Sequence, residues 1–255
     1  MTGPVSFAPE DLTEDGFLGG RLRILQPRRG YRAATDPVLL AAAVPAQAGQ
    51  SVLELGCGAG VASLCLGARV PGLALCGVEL QPAYADLARR NAVLNGITLD
   101  VVDGNVRTLP AEIRARRFDH VMLNPPYYPA RGGTAARDCG RETALREDLP
   151  LAEWIGAGLR RLKPGGWMTV IQAAGRLPEV LAGMSGSVTV LPVASRAGRA
   201  VHRVIVRVRK GGKAAFVLLS PIVMHDGAAH AGDQDSYSDL ARSVLRFGGI
   251  LRFDA

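Results

Sequence analysis

A short apolar run, a glycine-dense turn and an apolar helix follow one another at residues 51–70, and this succession constrains the fold more than any other part of the chain. Ser51-Val52-Leu53-Glu54-Leu55 has the length and composition of a buried strand. Gly56-Cys57-Gly58-Ala59-Gly60 then turns the chain, because glycine adopts positive φ without steric cost and lets the backbone approach a ligand closely. Val61 to Val70 reads as a helix. The G-x-G-x-G spacing differs from the G-x-G-x-x-G dinucleotide fingerprint, so the turn alone names no ligand. The next apolar run, Leu73 to Val78, ends in Glu79, roughly twenty residues beyond the last glycine, where an acid can bind both hydroxyls of a ribose. Strand, turn, helix, strand and acid together predict an α/β sheet with a ribose-binding edge.

A second constellation lies at Asn124-Pro125-Pro126-Tyr127. Phe118 to Leu123 reads as a short buried strand, and the two prolines end it, since neither can donate to a sheet ladder. Asn124 therefore stands at a strand's carboxyl end, the edge at which open α/β sheets bind ligands. The residue types suit a planar amino group, whose nitrogen is a weak nucleophile because its lone pair is delocalised into the neighbouring π system. The side-chain oxygen of Asn124 and the carbonyl of Pro125 can each accept one N–H and orient that nitrogen. Tyr127 can stack on a base, a contact worth roughly 1–3 kcal/mol. Tyr128 either lines the same pocket or packs behind it. An Asn-Pro turn after an ordinary strand is the structural alternative.

These residues resemble the class I S-adenosylmethionine-dependent methyltransferases, through Glu54 to Gly60, Glu79 and Asn124 to Tyr127, and the resemblance runs from about residue 20 to the C-terminus. It implies S-adenosylmethionine as cofactor, with Gly56, Gly58 and Gly60 packed against its methionine part, Glu54 near its amino group, Glu79 on its ribose and Asn124 at the same pocket. A Gly-Asp pair contacts the cofactor adenine in that class. The matching stretch is Val102-Asp103-Gly104-Asn105, where Asn105 occupies the usual Asp position and Asp103 is the alternative. Further upstream, Gly19 to Arg32 alternates as a hairpin does, and Ala34 to Leu40 begins a helix with Thr35 or Asp36 as N-cap and Pro37 in its first turn. This arrangement is similar to the tRNA1(Val) adenine-N6 methyltransferase family. In that family the Thr-Asp helix start lies over the cofactor pocket, which adds Thr35 and Asp36 to the cofactor-binding candidates beside their reading as a cap alone. The fold implied is α/β, a Rossmann-like seven-stranded sheet, mostly parallel with an antiparallel edge strand. Residues 1–255 then make one methyltransferase domain, with 1–50 an N-terminal hairpin and helix over the cofactor pocket and 51–255 the core. The activity implied is N6-methylation of an adenosine in the anticodon region of a tRNA.

Composition agrees with a polyanionic partner: the formal charge is +7 and the pI about 9.7. Only Lys163, Lys210 and Lys213 are lysines, so the excess is almost all arginine. Arg21, Arg23, Arg28, Arg29 and Arg32 form one cluster, and Arg131, Arg137, Arg141 and Arg146 a second within Pro129 to Asp148, the longest expected loop. Both are candidates to border a nucleic-acid surface, with solvated ion pairs as the alternative. The apolar runs are short, so no transmembrane helix is expected, and the acidic Met1 to Asp15 stretch does not read as a secretory signal. A cytoplasmic protein is expected. Cys57, Cys65, Cys76 and Cys139 read as reduced thiols, and His120, His202, His225 and His230 make no zinc-like spacing, so no metal is expected.

The remaining course reads as a helix over Pro150 to Leu162, a turn at Lys163 to Gly166 and a strand at Trp167 to Ile171. A helix over Arg176 to Met184 and strands over Ser187 to Pro192 and Val201 to Val208 follow, the two strands as an antiparallel pair at the sheet edge. Ala214 to Val223 is a further apolar run. Ser236 to Phe247 has the spacing of an amphipathic helix with Leu240, Val244, Leu245 and Phe247 inside. Other activities fit the same motifs: glutamine N5-methylation of release factors, guanine-N2 methylation of ribosomal RNA and adenine-N6 methylation of DNA. A non-catalytic module binding the cofactor and RNA is the alternative from another class.

Overall fold

A computed structural model of the chain describes residues 6–129, 146, 147, 149–227 and 236–253. It begins with a hairpin of strands β1 (Leu12–Phe17) and β2 (Leu22–Pro27), in which Leu12 lies opposite Pro27 and Phe17 opposite Leu22. The hairpin thus starts earlier than the expected Gly19, inside the acidic Met1 to Asp15 stretch. Its acids face partners across the ribbon: Glu14 pairs with Arg23, and Asp15 with Arg32 just beyond it. Helix α1 (Thr35–Ala43) follows and is buried from Pro37 to Ala43. Its N-cap is Ala34, and neither Thr35 nor Asp36 caps it; both lie within the first helical turn. The Asp36 carboxylate is drawn instead to two partners on other segments.

From there strand and helix alternate: β3 (Ser51–Leu55), α2 (Val61–Arg69), β4 (Ala74–Glu79), α3 (Pro82–Leu94), β5 (Leu99–Asp103), α4 (Ala111–Ala115) and β6 (Phe118–Leu123). Two short paired strands, β7 (Tyr128–Pro129) and β8 (Arg146–Glu147), precede α5 (Leu151–Arg161) and β9 (Leu162–Ala173). Then come α6 (Leu177–Ala182), β10 (Ser187–Ala194), β11 (Val201–Arg209), β12 (Val217–Leu218), β13 (Ile222–Val223) and α7 (Asp239–Phe247). The main sheet has the order β12-β10-β11-β9-β6-β3-β4-β5, with β13 also on β10. Its seven longer strands are the expected sheet, extended at one edge by the two-residue β12 and β13. Strands β3 to β6 and β9 pair in parallel. The two late strands form the expected antiparallel pair, and within it the inner strand β11 runs against the sheet, between β9 and the edge strand β10.

Apolar layers cover both faces, as parallel strands require. Helices α1, α2, α3 and α7 contribute Leu39, Leu64, Leu87 and Val244 to one layer, and α4, α5 and α6 contribute Ile113, Ile155 and Val180 to the other. The Lys163 to Gly166 turn does not separate helix from strand. It is absorbed into β9 as a bulge, since Leu162 lies opposite Phe118 while Trp167 already lies opposite His120. On α7 the buried residues are Ala241, Val244 and Leu245, whereas Leu240 and Phe247 are exposed; the i, i+3, i+4 stripe begins one residue later than the sequence suggests. Of the helices described, none is long and apolar enough to cross a membrane.

The sheet leaves little room beneath the glycine turn. A Cβ added at Gly77 in β4 would lie 2.7 Å from the Cys57 Sγ and 3.0 Å from its Cβ. Gly77→Ala is expected to cost about 1–3 kcal/mol, as overpacking of a filled core does. Scanning calorimetry should show a Tm lower by roughly 3–10 °C for a chain of this size.

Candidate active site

The carboxyl ends of β3, β4, β5 and β6 open onto one cavity of about 450 Å³. The glycine turn forms its floor. The backbone N–H groups of Gly56 and Cys57 both donate to the Val78 carbonyl, at 2.8 and 3.1 Å, which fastens the turn to β4. Gly56 has φ of 70°, and a Cβ there would stand 2.9 Å from the Trp154 ring. Gly58, with φ of 53°, lies under the ring of Tyr31. Gly60 plays another part: it is the N-cap of α2, and a Cβ would meet Leu99 and Ala88 at 3.2 and 3.3 Å, so it sets helix packing and does not line the cavity.

Glu79 is buried at the end of β4, its carboxylate accepting from Gly58 N at 2.8 Å and Gln81 N at 2.9 Å. Asn105 lines the cavity just beyond β5 and accepts from Arg107 N at 2.8 Å. Asp103 does not line it; its half-exposed carboxylate is paired with Arg89. Thr35 is likewise outside the lining, whereas Asp36, Glu54, Gly56, Gly58, Glu79, Asn124, Pro125 and Tyr127 belong to it.

Asn124 to Tyr127 leave β6 at the opposite wall. Prolines supply no N–H, but their carbonyls still need donors, and these come from β9 and the turn after it. Fully buried Gln172 points its Nε2 at the carbonyls of Pro125 and Pro126, at 3.4 and 3.3 Å, and Arg176 Nη1 donates to Pro126 at 3.1 Å. The Tyr127 hydroxyl donates to Asp36 Oδ2 at 2.7 Å, and Asp36 Oδ1 pairs with Arg203 Nε at 2.6 Å. The Asn124 amide lies beside Tyr31 on the cavity wall. Tyr31 is held in turn by Tyr84, whose hydroxyl bridges its backbone N–H and carbonyl. Sequence reasoning passed over Tyr31, Trp154, Gln172 and Arg203. Each reaches the site by contact between distant segments, and only the Gly-Tyr-Arg run around Tyr31 lay in a stretch already singled out.

Burial dominates the electrostatics. The Glu54 carboxyl, 3 % exposed, accepts from the Ser63 N–H and hydroxyl yet is pushed up to about 8, chiefly by desolvation. Glu79 is raised by the same cause against its backbone donors. Desolvation first, then the Asp36 charge, raises the phenols of Tyr31 and Tyr127, so both stay neutral at physiological pH. The sign for Glu54 follows directly. Its folded-state value lies above its unfolded one, so the folded protein holds the proton more tightly. Stability is therefore highest below about pH 4.5 as far as this group is concerned, and falls as pH rises from there through about 8. Without cofactor the Tm is expected to drop by on the order of 10 °C between pH 6 and 9, and Glu54→Gln should flatten that slope.

Other expectations lie away from the cavity. Cys57, Cys65 and Cys76 are free and buried, and burial raises each thiol. His120 is buried at the far end of β6, where its Nε2 meets Gln50 Oε1 at 2.8 Å. Among the described residues no cluster of His, Cys, Asp or Glu is arranged to hold a metal ion. In the first arginine cluster, Arg23 and Arg32 pair with acids, and Arg21 and Arg28 donate to backbone carbonyls. Cys139, His230, Arg131, Arg137 and Arg141 lie outside the described residues, as does most of the Pro129 to Asp148 loop.

A seven-stranded sheet with one inverted strand next to its edge, and a nucleoside-sized cavity over a glycine turn, is the architecture of the S-adenosylmethionine-dependent methyltransferases, and this chain has it. The residues suit the cofactor: the volume is in the range of small-ligand pockets, Gly56 keeps the floor clear, and the buried Glu54 and Glu79 carboxyls face the cavity. The methyltransferase small domain family model matches residues 34–196, and the chain belongs to that family. It is 30% identical to the tRNA1(Val) (adenine(37)-N6)-methyltransferase of Dickeya chrysanthemi, over 79% of this chain and 82% of that enzyme. To the enzyme of the same name from Yersinia enterocolitica it is 34% identical over 51% of each chain, so that match spans about half the relative's length. Among solved structures, a predicted O-methyltransferase from Agrobacterium tumefaciens superposes with a TM-score of 0.68 at 20% identity, over 85% of this chain and 98% of that one. The 16S rRNA N2 G1207 methyltransferase of T. Thermophilus, solved with AdoMet and guanosine, does so at 0.54 and 18% identity, over 78% and 50%. These two likenesses concern the fold.

Proposed function

We propose that the protein methylates N6 of an adenosine in tRNA, in the anticodon region. The observation that carries the reading is the placement of Asn124, the Pro125 carbonyl and Tyr127 on the wall of the same cavity as the glycine turn and Glu79. The relatives named as tRNA1(Val) adenine-N6 enzymes support the choice of adenine and of tRNA. S-adenosylmethionine, when bound, supplies a methyl group on a sulfonium, already activated for displacement. Gly56 and Gly58 would hold its methionine part, Glu54 its amino group, Glu79 its ribose and Asn105 its adenine.

The chain's own task is positioning and charge placement. The Asn124 oxygen and the Pro125 carbonyl each accept one N–H of the exocyclic amine, which turns the nitrogen lone pair out of conjugation and toward the methyl donor. Gln172 fixes the Pro125 carbonyl, so this acceptor is in place before substrate arrives. The Tyr127 ring stacks on the base, its orientation set by the bond to Asp36. No dedicated base is needed, because the nitrogen becomes acidic once alkylated and loses its proton to the site or to water. A base in an RNA loop is cheaper to turn out than one in a duplex, which suits an anticodon arm. Such a substrate places the reaction in the cytoplasm.

The test is to incubate the protein with labelled S-adenosylmethionine and, separately, unmodified total tRNA, ribosomal RNA, duplex DNA and release factor, and to identify the product by mass. N6-methyladenosine in tRNA is the expected product. N2-methylguanosine, or label in release factor, would replace the substrate while keeping the chemistry.

A further inference from the structure

The chain's positive charge is unevenly placed. Around the cavity the arginines are paired with acids: Arg32 with Asp15, Arg107 with Glu153 and Arg203 with Asp36. At the opposite edge of the sheet, where β6 begins and β11 ends, they are not. Arg114 and Arg117 precede β6, Arg160 and Arg161 end α5, and Arg209, Lys210 and Lys213 follow the body of β11. None of these seven has a carboxylate partner among the described residues. Of the acids on this side, Asp100 and Asp119 are engaged by Arg116 and Lys163, and Glu112 of α4 forms no ion pair among the described residues.

Backbone carbonyls hold four of them, Arg117, Arg161, Arg209 and Lys210, in place. Arg161 reaches across to the carbonyls of Ile113 and Arg114 at the end of α4. Lys210 Nζ donates to Leu159 and Leu162 at the end of α5, at 2.8 and 3.0 Å, and Arg209 Nε to Gly165 at 3.4 Å. Burial first, then the neighbouring Arg117, Arg160 and Arg114, disfavours the charge on Arg161; burial, then Arg117 and Arg161, does so on Lys210. The carboxyl ends of two helices attract cations, and this accounts for Arg161 and Lys210. It favours Arg114 and Arg160 too, since both stand in a last helical turn, but these two are exposed and hydrogen-bond neither end, and exposed Lys213 follows a strand.

We propose that this rim, with Arg114, Arg160 and Lys213 at its exposed surface, binds the phosphate backbone of RNA at a distance from the reacting base. Guanidinium groups match phosphate geometry, and like charges left crowded without counter-charge gain most from a polyanion. Strand β6 measures the separation. Arg117 precedes it and Asn124 follows it, so the two ends lie about 23 Å apart at roughly 3.3 Å per residue. A folded RNA spans that distance easily, whereas a free nucleotide does not. The inference rests on the substrate being RNA, as proposed above, but not on which base is methylated.

The experiment compares the full chain with a variant carrying Arg114→Gln, Arg160→Gln and Lys213→Gln, and with a control carrying Arg89→Gln and Arg242→Gln, whose arginines are already paired. Binding of unmodified total tRNA is measured over a range of salt concentrations. The rim variant should bind at least tenfold more weakly near physiological salt, and its log K against log salt slope should be shallower by about 2–3. Its S-adenosylmethionine affinity, Tm and turnover at saturating RNA should match the parent, and the control should keep the parent's slope. An unchanged slope in the rim variant, with or without a lower Tm, would assign these cations to the helix ends and sink the proposal. Binding of phosphatidylserine vesicles in place of RNA by the parent would do the same. RNA binding without methyl transfer would overturn the activity and leave the rim standing, while methyl transfer with an unaltered slope would do the reverse.

Discussion

Asn124→Ala is expected to lower turnover on RNA by about 10²–10³-fold, the size of effect seen when one pre-placed polar group is removed from a reacting centre. Its S-adenosylmethionine affinity by titration calorimetry should change by no more than a small factor. The asymmetry follows from position. Asn124 faces the cavity from the end of β6, and the cofactor groups assigned above are held from β3, β4 and the turn after β5. The substitution also removes the amide beside Tyr31, and that loss falls on the same wall. Asn124→Asp restores an acceptor, but a charged one in a half-buried wall, so it should recover part of the turnover. Equal losses in turnover and cofactor affinity would instead make Asn124 a residue of the cofactor pocket.

Glu79→Ala should act on the other component. The Glu79 carboxylate accepts from Gly58 N and Gln81 N, and hydrogen bonds to a charged group are worth about 1.5–3 kcal/mol each. Removing it strands both donors and deletes the acceptor assigned to the ribose hydroxyls. S-adenosylmethionine affinity is expected to fall by about 10²-fold, and the Tm to fall as well because Gly58 loses its tether. Glu79→Gln keeps an acceptor and should retain more of both. A variant that binds the cofactor normally would show that the ribose is held elsewhere.

The parts of the molecule written in local pattern could be read directly from the chain. Strands β3 and β6 have the boundaries their apolar runs suggest, because a buried parallel strand is a continuous hydrophobic word. The turn at Gly56 to Gly60 and the acid at Glu79 likewise announce themselves by residue type and spacing. Strand β1 did not, since Thr13, Glu14 and Asp15 look like a solvated acidic tail until Arg23 and Arg32 are brought opposite them. The bulge at Lys163 to Gly166 has the composition of a turn, and only the register of β9 against β6 shows that the strand continues through it. Tyr31, Gln172 and Arg203 were invisible for a related reason. Their part in the site depends on which strand ends the sheet order places together, and no short window of sequence contains that order.

One carboxylate, that of Asp36, is shared by helix α1, the turn after β6 and strand β11 through Tyr127 and Arg203. Three segments far apart in the chain therefore answer for one another. A substitution at either partner leaves the remaining charge or hydroxyl in a half-buried place without its counterpart, so change at these positions is tolerated in step and resisted singly. Chimeras that exchange the first fifty residues, or the last strands, with those of a relative should fail or succeed according to whether this junction is matched, however well their exposed loops agree.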